Sequence, residues 1–332
     1  MDLTPISGLV IAFALFMYVL LDGFDLGVGI LFLVDTRKED RDVMMTSLIP
    51  FWDGNETWLV LGGAGLFAAF PLAYATLMPA LYIPLMAMLF ALVFRGVAFE
   101  YRFKSERTQQ FWDYLFSFGA GLAAIAQGMA LGTVISGIPV ADRQFAGGSF
   151  DWLTPFNVMC GVGLVFGYAL LGATWLVMKT EGDVQRRAYR IAGKLVPAIA
   201  MFVMLVSLWT PYAHPSVAER WFSRPNVIYL SPVPIATAVT LLLLWRKLQL
   251  RKEVAPFFLT ITVFVLSAIG LAVSLFPFVV PYSVTIWDAA PQRKAQSFLL
   301  IGITLMLPIV LGYTALNYFI FRGKVGKGGG YH

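Results

Sequence analysis

Nine apolar runs, each close to the roughly 20 residues a helix needs to cross a hydrocarbon core, leave this chain few ways to fold. They cover about 6–34, 56–77, 79–100, 111–138, 155–178, 191–213, 227–245, 256–281 and 295–321. A soluble domain carries roughly 25% charged residues; this sequence of 332 residues carries 13%, against 59% hydrophobic, and its mean hydropathy is +0.76. The expectation is an all-α integral membrane protein with nine transmembrane helices. The first run follows only five residues, without a basic leader or a small-residue cleavage site, so it reads as a retained helix and not a signal peptide.

The formal charge of +5 does not point to nucleic acid, because the basic residues flank apolar runs and form no basic face. Their distribution gives orientation instead, since lysine and arginine collect on the cytoplasmic side. The stretches after runs one, three, five and seven, with the C-terminal tail, hold eighteen of the 24, from Arg37 and Arg41 to Lys324 and Lys327. The alternate loops hold five: Arg143, Arg220, Arg224, Arg293 and Lys294. Arg95 lies within run three. This places the N-terminus outside and the C-terminus inside, which an odd number of spans requires.

Against that background, "LLDGFDLGVGI" at 20–30 is unusual. Asp22 lies sixteen residues past Ile6, about 24 Å along a helix, which puts Asp22 and Asp25 in the inner part of the membrane. At i and i+3 the two acids share one face. They are either packing groups satisfied by partners or functional ionisable groups, and two on one face at such depth favour function. Gly23 and Gly27 form a small-xxx-small pair that admits a close helix; Gly128–Gly132 and Gly163–Gly167 are candidates for the same use at a subunit interface.

Two further polar clusters lie at the same side. "PFWDGNETW" at 50–58 brings Asp53, Asn55 and Glu56; Pro50 and Gly54 read as a turn entering the membrane, with Trp52 and Trp58 as interfacial anchors. "FRGVAFEYR" at 94–102 brings Arg95 and Glu100, and Arg95 is deep enough to need a counter-charge. Acids running from the inner surface into the membrane fit the entry of a proton path, where carboxyls with raised pKa load and release protons. The candidates are Asp53, Glu56, Asp22, Asp25 and Glu100, with Arg95 as charge partner. An ion pair alone would also account for Arg95.

Haem chemistry finds no obvious ligands here. Haem iron is usually held by histidine, and the two histidines are His214 in an outer loop and the terminal His332. A lone cysteine, Cys160, forms no internal disulfide or metal cluster, and no catalytic or nucleotide-binding motif is present. If the protein serves redox chemistry, a partner holds the metal.

The motifs "DGFDLGVG", "WDGNETWL", "LFAAFPLAYA", "FRGVAFEYR" and "FPFVVPYSVTIWDA", in this order over nearly the whole chain, resemble subunit II of the cytochrome bd-type quinol oxidases. Shorter members of that family include those called cyanide-insensitive oxidases. The resemblance implies two four-helix bundles, 1–138 and 139–281, plus a peripheral last helix with a basic cytoplasmic tail, 282–332. It implies a multi-pass protein of the bacterial cytoplasmic membrane, paired with a subunit I that carries haem b and haem d, where quinol is oxidised and dioxygen reduced to water. Small single-helix accessory subunits, membrane lipids and a quinone held as substrate or bound lipid belong to the same expectation. Asp53 would sit at the mouth of a cytoplasmic proton channel, and Asp22 and Asp25 near the helix contact with the partner. The rivals are a stand-alone secondary transporter, which also buries acids but places them near the midplane, and a purely structural anchor, which leaves the acids without a role.

Overall fold

The computed structural model describes residues 2–34, 37–104 and 107–326; Lys327, His332 and the glycine-rich tail between them lie outside these. In chain order, α1 (Thr4–Leu31) runs into a short 3-10 turn, and α2 (Lys38–Thr46) follows as a charged helix. Then come α3 (Trp52–Ala69), α4 (Pro71–Ala80), α5 (Tyr82–Arg102) and α6 (Gln109–Ser136). A small hairpin, β1 (Val140–Ala141) and β2 (Gln144–Phe145), leads to α7 (Pro155–Lys179) and α8 (Gly182–Ala213). Next are α9 (Pro215–Phe222), α10 (Asn226–Leu230), α11 (Pro232–Gln249) and α12 (Ala255–Leu275). A second hairpin, β3 (Phe278–Val280) and β4 (Val284–Thr285), precedes α13 (Ile286–Ala289) and α14 (Arg293–Ile320).

Eight helical stretches among the described residues are long and apolar enough to cross a membrane: α1, α5, α6, α7, α8, α10 with α11, α12 and α14. Run two is not one of them. It breaks at Phe70, which adopts φ −143° and ψ 68°, because proline bars the residue before it from the helical region. Pro71 then starts α4, where its missing N–H costs nothing. Run eight ends early for the same reason: α12 stops before Phe276-Pro277, and the remaining apolar residues form the β3–β4 hairpin.

One buried cluster joins the two halves of the chain, from Phe24 and Phe116 to Trp175, Leu244 and Val263. α7 lies at its centre, packed on α1, α6, α8 and α12. The α1–α7 crossing is glycine on glycine: a Cβ on Gly27 would overlap the Tyr168 carbonyl oxygen, and one on Gly172 would overlap the Gly27 backbone. The other glycine pairs are also occupied within the chain and not held for a partner. Gly128 and Gly132 meet α7 at Cys160 and Asn157, while Gly163 and Gly167 meet Phe202 and Phe264.

At the end bearing most basic residues, α2 is stapled to its neighbours by ion pairs. Arg41 and Arg102 both hold Asp113, at 2.7 and 2.5 Å, and Arg102 also holds Asp42 at 2.6 Å. Arg187 reaches Asp40 at 2.5 Å. This helix lies outside the apolar runs, because it is mostly charged.

Candidate functional site

Beneath α2, three helices bring the sequence motifs together. Asp22 and Asp25 on α1 are buried, as is Arg95 on α5. α6 packs closely on α5 beside it at Gly119, where a Cβ would stand 2.7 Å from the Ala91 carbonyl and 3.1 Å from the Arg95 nitrogen. One guanidinium nitrogen, Nη1, donates to Asp22 Oδ1 at 2.7 Å, and Nη2 lies 3.4 Å from Glu56 Oε2. Glu56 keeps a third of its side chain exposed, so this chain of contacts runs from the surface to a fully buried acid.

Asp25 shares the face of Asp22 but meets a different kind of partner. Asn55 Nδ2 donates to Asp25 Oδ2 at 2.7 Å and to the Leu21 carbonyl at 3.2 Å. The Asn55 carbonyl oxygen in turn accepts from the Tyr318 hydroxyl of α14 at 3.0 Å. Tyr318 sits in an aromatic nest, 4.5 Å from the Phe51 ring and 6.3 Å from Trp175 between centroids. The Tyr18 hydroxyl is buried beside Asp22, and the Tyr168 hydroxyl donates to Gln127 Oε1 at 2.9 Å.

Not every expected residue joins this cluster. Asp53 is exposed in the first turn of α3. Partial burial and then the neighbouring Glu100 carboxylate push its carboxyl above the ordinary aspartate value, so it keeps a proton to higher pH than a free side chain does. Glu100 is exposed and pairs along the helix with Lys104 at 3.2 Å. The stretch read as a turn is helical from Trp52, which rotates Trp58 inward to 1% exposure against Phe13; it is no interfacial anchor. One oxygen of each acid is held by this chain's own helices, Asp22 by Arg95 and Asp25 by Asn55. Tyr318 and Tyr18 were missed from sequence, and Asn55 was placed in the polar cluster but given no role: hydroxyls and amides in apolar helices give no periodic signal.

His214, the one histidine among the described residues, stacks on Tyr282 in the outer loops with centroids 4.4 Å apart. No group of three His, Cys, Asp or Glu side chains among them is placed to hold a metal ion.

The chain resembles known proteins over nearly its whole length. A chain from Bacillus subtilis named cytochrome bd ubiquinol oxidase subunit 2 is 29% identical, covering 92% of this chain and 91% of its own length. The Escherichia coli K12 cytochrome bd-I ubiquinol oxidase subunit 2 is 28% identical over 96% and 94%. A probable cytochrome oxidase subunit 2 from Haemophilus influenzae is 30% identical over 92% and 90%. Among solved structures, the bd oxidase of Geobacillus thermodenitrificans superposes with a TM-score of 0.81 at 15% identity, covering 97% of this chain and 99% of the other. The family model for cytochrome bd terminal oxidase subunit II matches residues 3–321, and the chain belongs to that family.

Proposed function

We propose that this chain is the subunit II of a terminal quinol oxidase that ligates no haem itself, and that its inner acid cluster moves protons toward the partner. The observation that carries the proton role is a ladder of increasing burial. Asp53 is exposed, Glu56 half-buried, and Asp22 and Asp25 enclosed, with Arg95 bridging Glu56 and Asp22. Ionisable groups at such depth are costly and are functional by default. Asp53 collects a proton at the membrane edge, and Glu56 is the next carboxyl inward. Glu100 stands beside Asp53 at the same edge as a further candidate for the path, and its charge helps hold the Asp53 proton.

The partner is subunit I, with haem b and haem d, which supply the redox chemistry; this chain's residues only collect and relay protons. Quinol and dioxygen are the complex's substrates, membrane lipids surround it, and single-helix accessory subunits complete the expected assembly. In this reading α3 with α4 forms a ninth, broken span. The bundles are 1–138 and 139–281, and α14 is the peripheral helix of 282–332, in a bacterial cytoplasmic membrane with the N-terminus outside. The relatives give no support to a stand-alone transporter.

The test is Asp53→Asn, which keeps volume and hydrogen bonding but removes the titratable group. The expected result is slower quinol oxidase turnover with the haem spectrum of the complex retained, and more activity in Asp53→Glu than in Asp53→Asn. Wild-type turnover in Asp53→Asn would remove Asp53 from the path, and loss of haem would make the residue structural.

A further inference from the structure

A cavity of about 10 Å³ lies inside the cluster, lined by Asp25, Leu48, Trp52, Arg95, Phe99 and Phe116. Four of these are apolar or aromatic walls. The other two are buried polar side chains, and each keeps one atom without a protein partner: Asp25 Oδ1 and Arg95 Nε. Such orphans are rare in folded proteins, and each calls for an explanation. We propose that this cavity is a binding site for one water molecule, bridging Arg95 Nε–H and Asp25 Oδ1.

Size and chemistry choose the ligand together. A volume of about 10 Å³ is near that of a single water probe, and a buried water needs two or more polar partners. The site offers one obligate donor and one carboxyl oxygen. A cation would face the guanidinium, and an anion would face the carboxyl of Asp25. Water alone accepts from Nε–H while donating to a carboxylate or accepting from a carboxylic acid.

The bridge would join two networks that the protein alone leaves separate, Asp22–Arg95–Glu56 and Asp25–Asn55–Tyr318. It would also give Asp25 a neighbour able to exchange protons, which the permanently charged arginine is not. That consequence, unlike the site itself, rests on the proton-path reading above.

The experiment is a cryo-EM map of the intact oxidase in lipid nanodiscs, fine enough to show ordered water, for the wild type and for Leu48→Phe, which fills the cavity. The expected wild-type map has one peak at hydrogen-bonding distance, about 2.6–3.2 Å, from both Asp25 Oδ1 and Arg95 Nε. In Leu48→Phe the peak is gone and the haem spectrum is kept. A wild-type cavity without density, or one closed by direct contact between Asp25 and Arg95, overturns the proposal, and the wild-type map decides even if Leu48→Phe does not assemble. Turnover separates the two readings. A peak in the wild type with unchanged turnover in Leu48→Phe keeps the water site and removes it from the proton path.

Discussion

Arg95 stands against more than one acid. Its partners are Asp22 at 2.7 Å and Glu56 at 3.4 Å, and its side chain is 3% exposed. Removing one member of a buried ion pair leaves the other charge uncompensated, at a cost of about 3–5 kcal/mol. Arg95→Met should therefore lower the thermal unfolding midpoint of the purified complex sharply. Adding Asp22→Asn to Arg95→Met should restore part of the loss, because the stranded charge is gone. If the double variant falls by the sum of the two single losses, the residues are not coupled. Much of this was legible in the sequence: a guanidinium inside an apolar run demands an acid, and an i, i+3 pair on one face marks a site. What was not legible is how the acids divide. Asp22 takes the arginine and Asp25 an amide, and Tyr318 reaches Asn55 across 263 positions of sequence, a distance no local pattern spans.

At the level of elements, hydropathy located the long helices well because lipid imposes one requirement on all of them: length in apolar residues. It misread the places where local backbone chemistry overrides the average. Pro71 splits run two although the residues around it are as oily as elsewhere, and Trp52 opens a helix where Pro50 and Gly54 suggested a turn. Close packing is equally local. Gly172 and Gly193 are both helical glycines, yet a Cβ on Gly172 would overlap the Gly27 backbone, and one on Gly193 would meet nothing within 4 Å. Gly172→Ala must push α1 from α7, and overpacking of this kind costs about 1–3 kcal/mol or more. Gly193→Ala escapes that clash and gains up to about 1 kcal/mol of helix propensity. Unfolding midpoints of the two variants in the assembled complex should move in opposite directions, and equal shifts would show that the α1–α7 crossing is looser than its geometry.

Across the whole molecule, charge and connectivity agree on two unlike ends. At one end the loops between spans are laced together: Arg37 with Asp183 at 2.6 Å, Arg187 with Asp40 at 2.5 Å, and Lys324 with Glu253 at 2.8 Å. The C-terminal segment is tied there too, through the Val325 N–H to the Lys179 carbonyl at 2.8 Å. At the other end Trp287 Nε1 donates to Asp2 at 2.8 Å and Arg143 to the Asp288 carbonyl at 3.2 Å, few charges being present. The positive-inside rule assigns the first end to the cytoplasm, which is also where Asp53 must lie to draw protons from inside. Orientation is thus a joint test of topology and mechanism. In a Cys160→Ser background, an impermeant maleimide added to intact cells should label Ser149→Cys, an exposed position in the loop before α7. It should leave Lys252→Cys, exposed between α11 and α12, unmodified until the membrane is opened. Labelling in the reverse order would turn the acid ladder toward the outside, and the proton-supply role would fall with the topology.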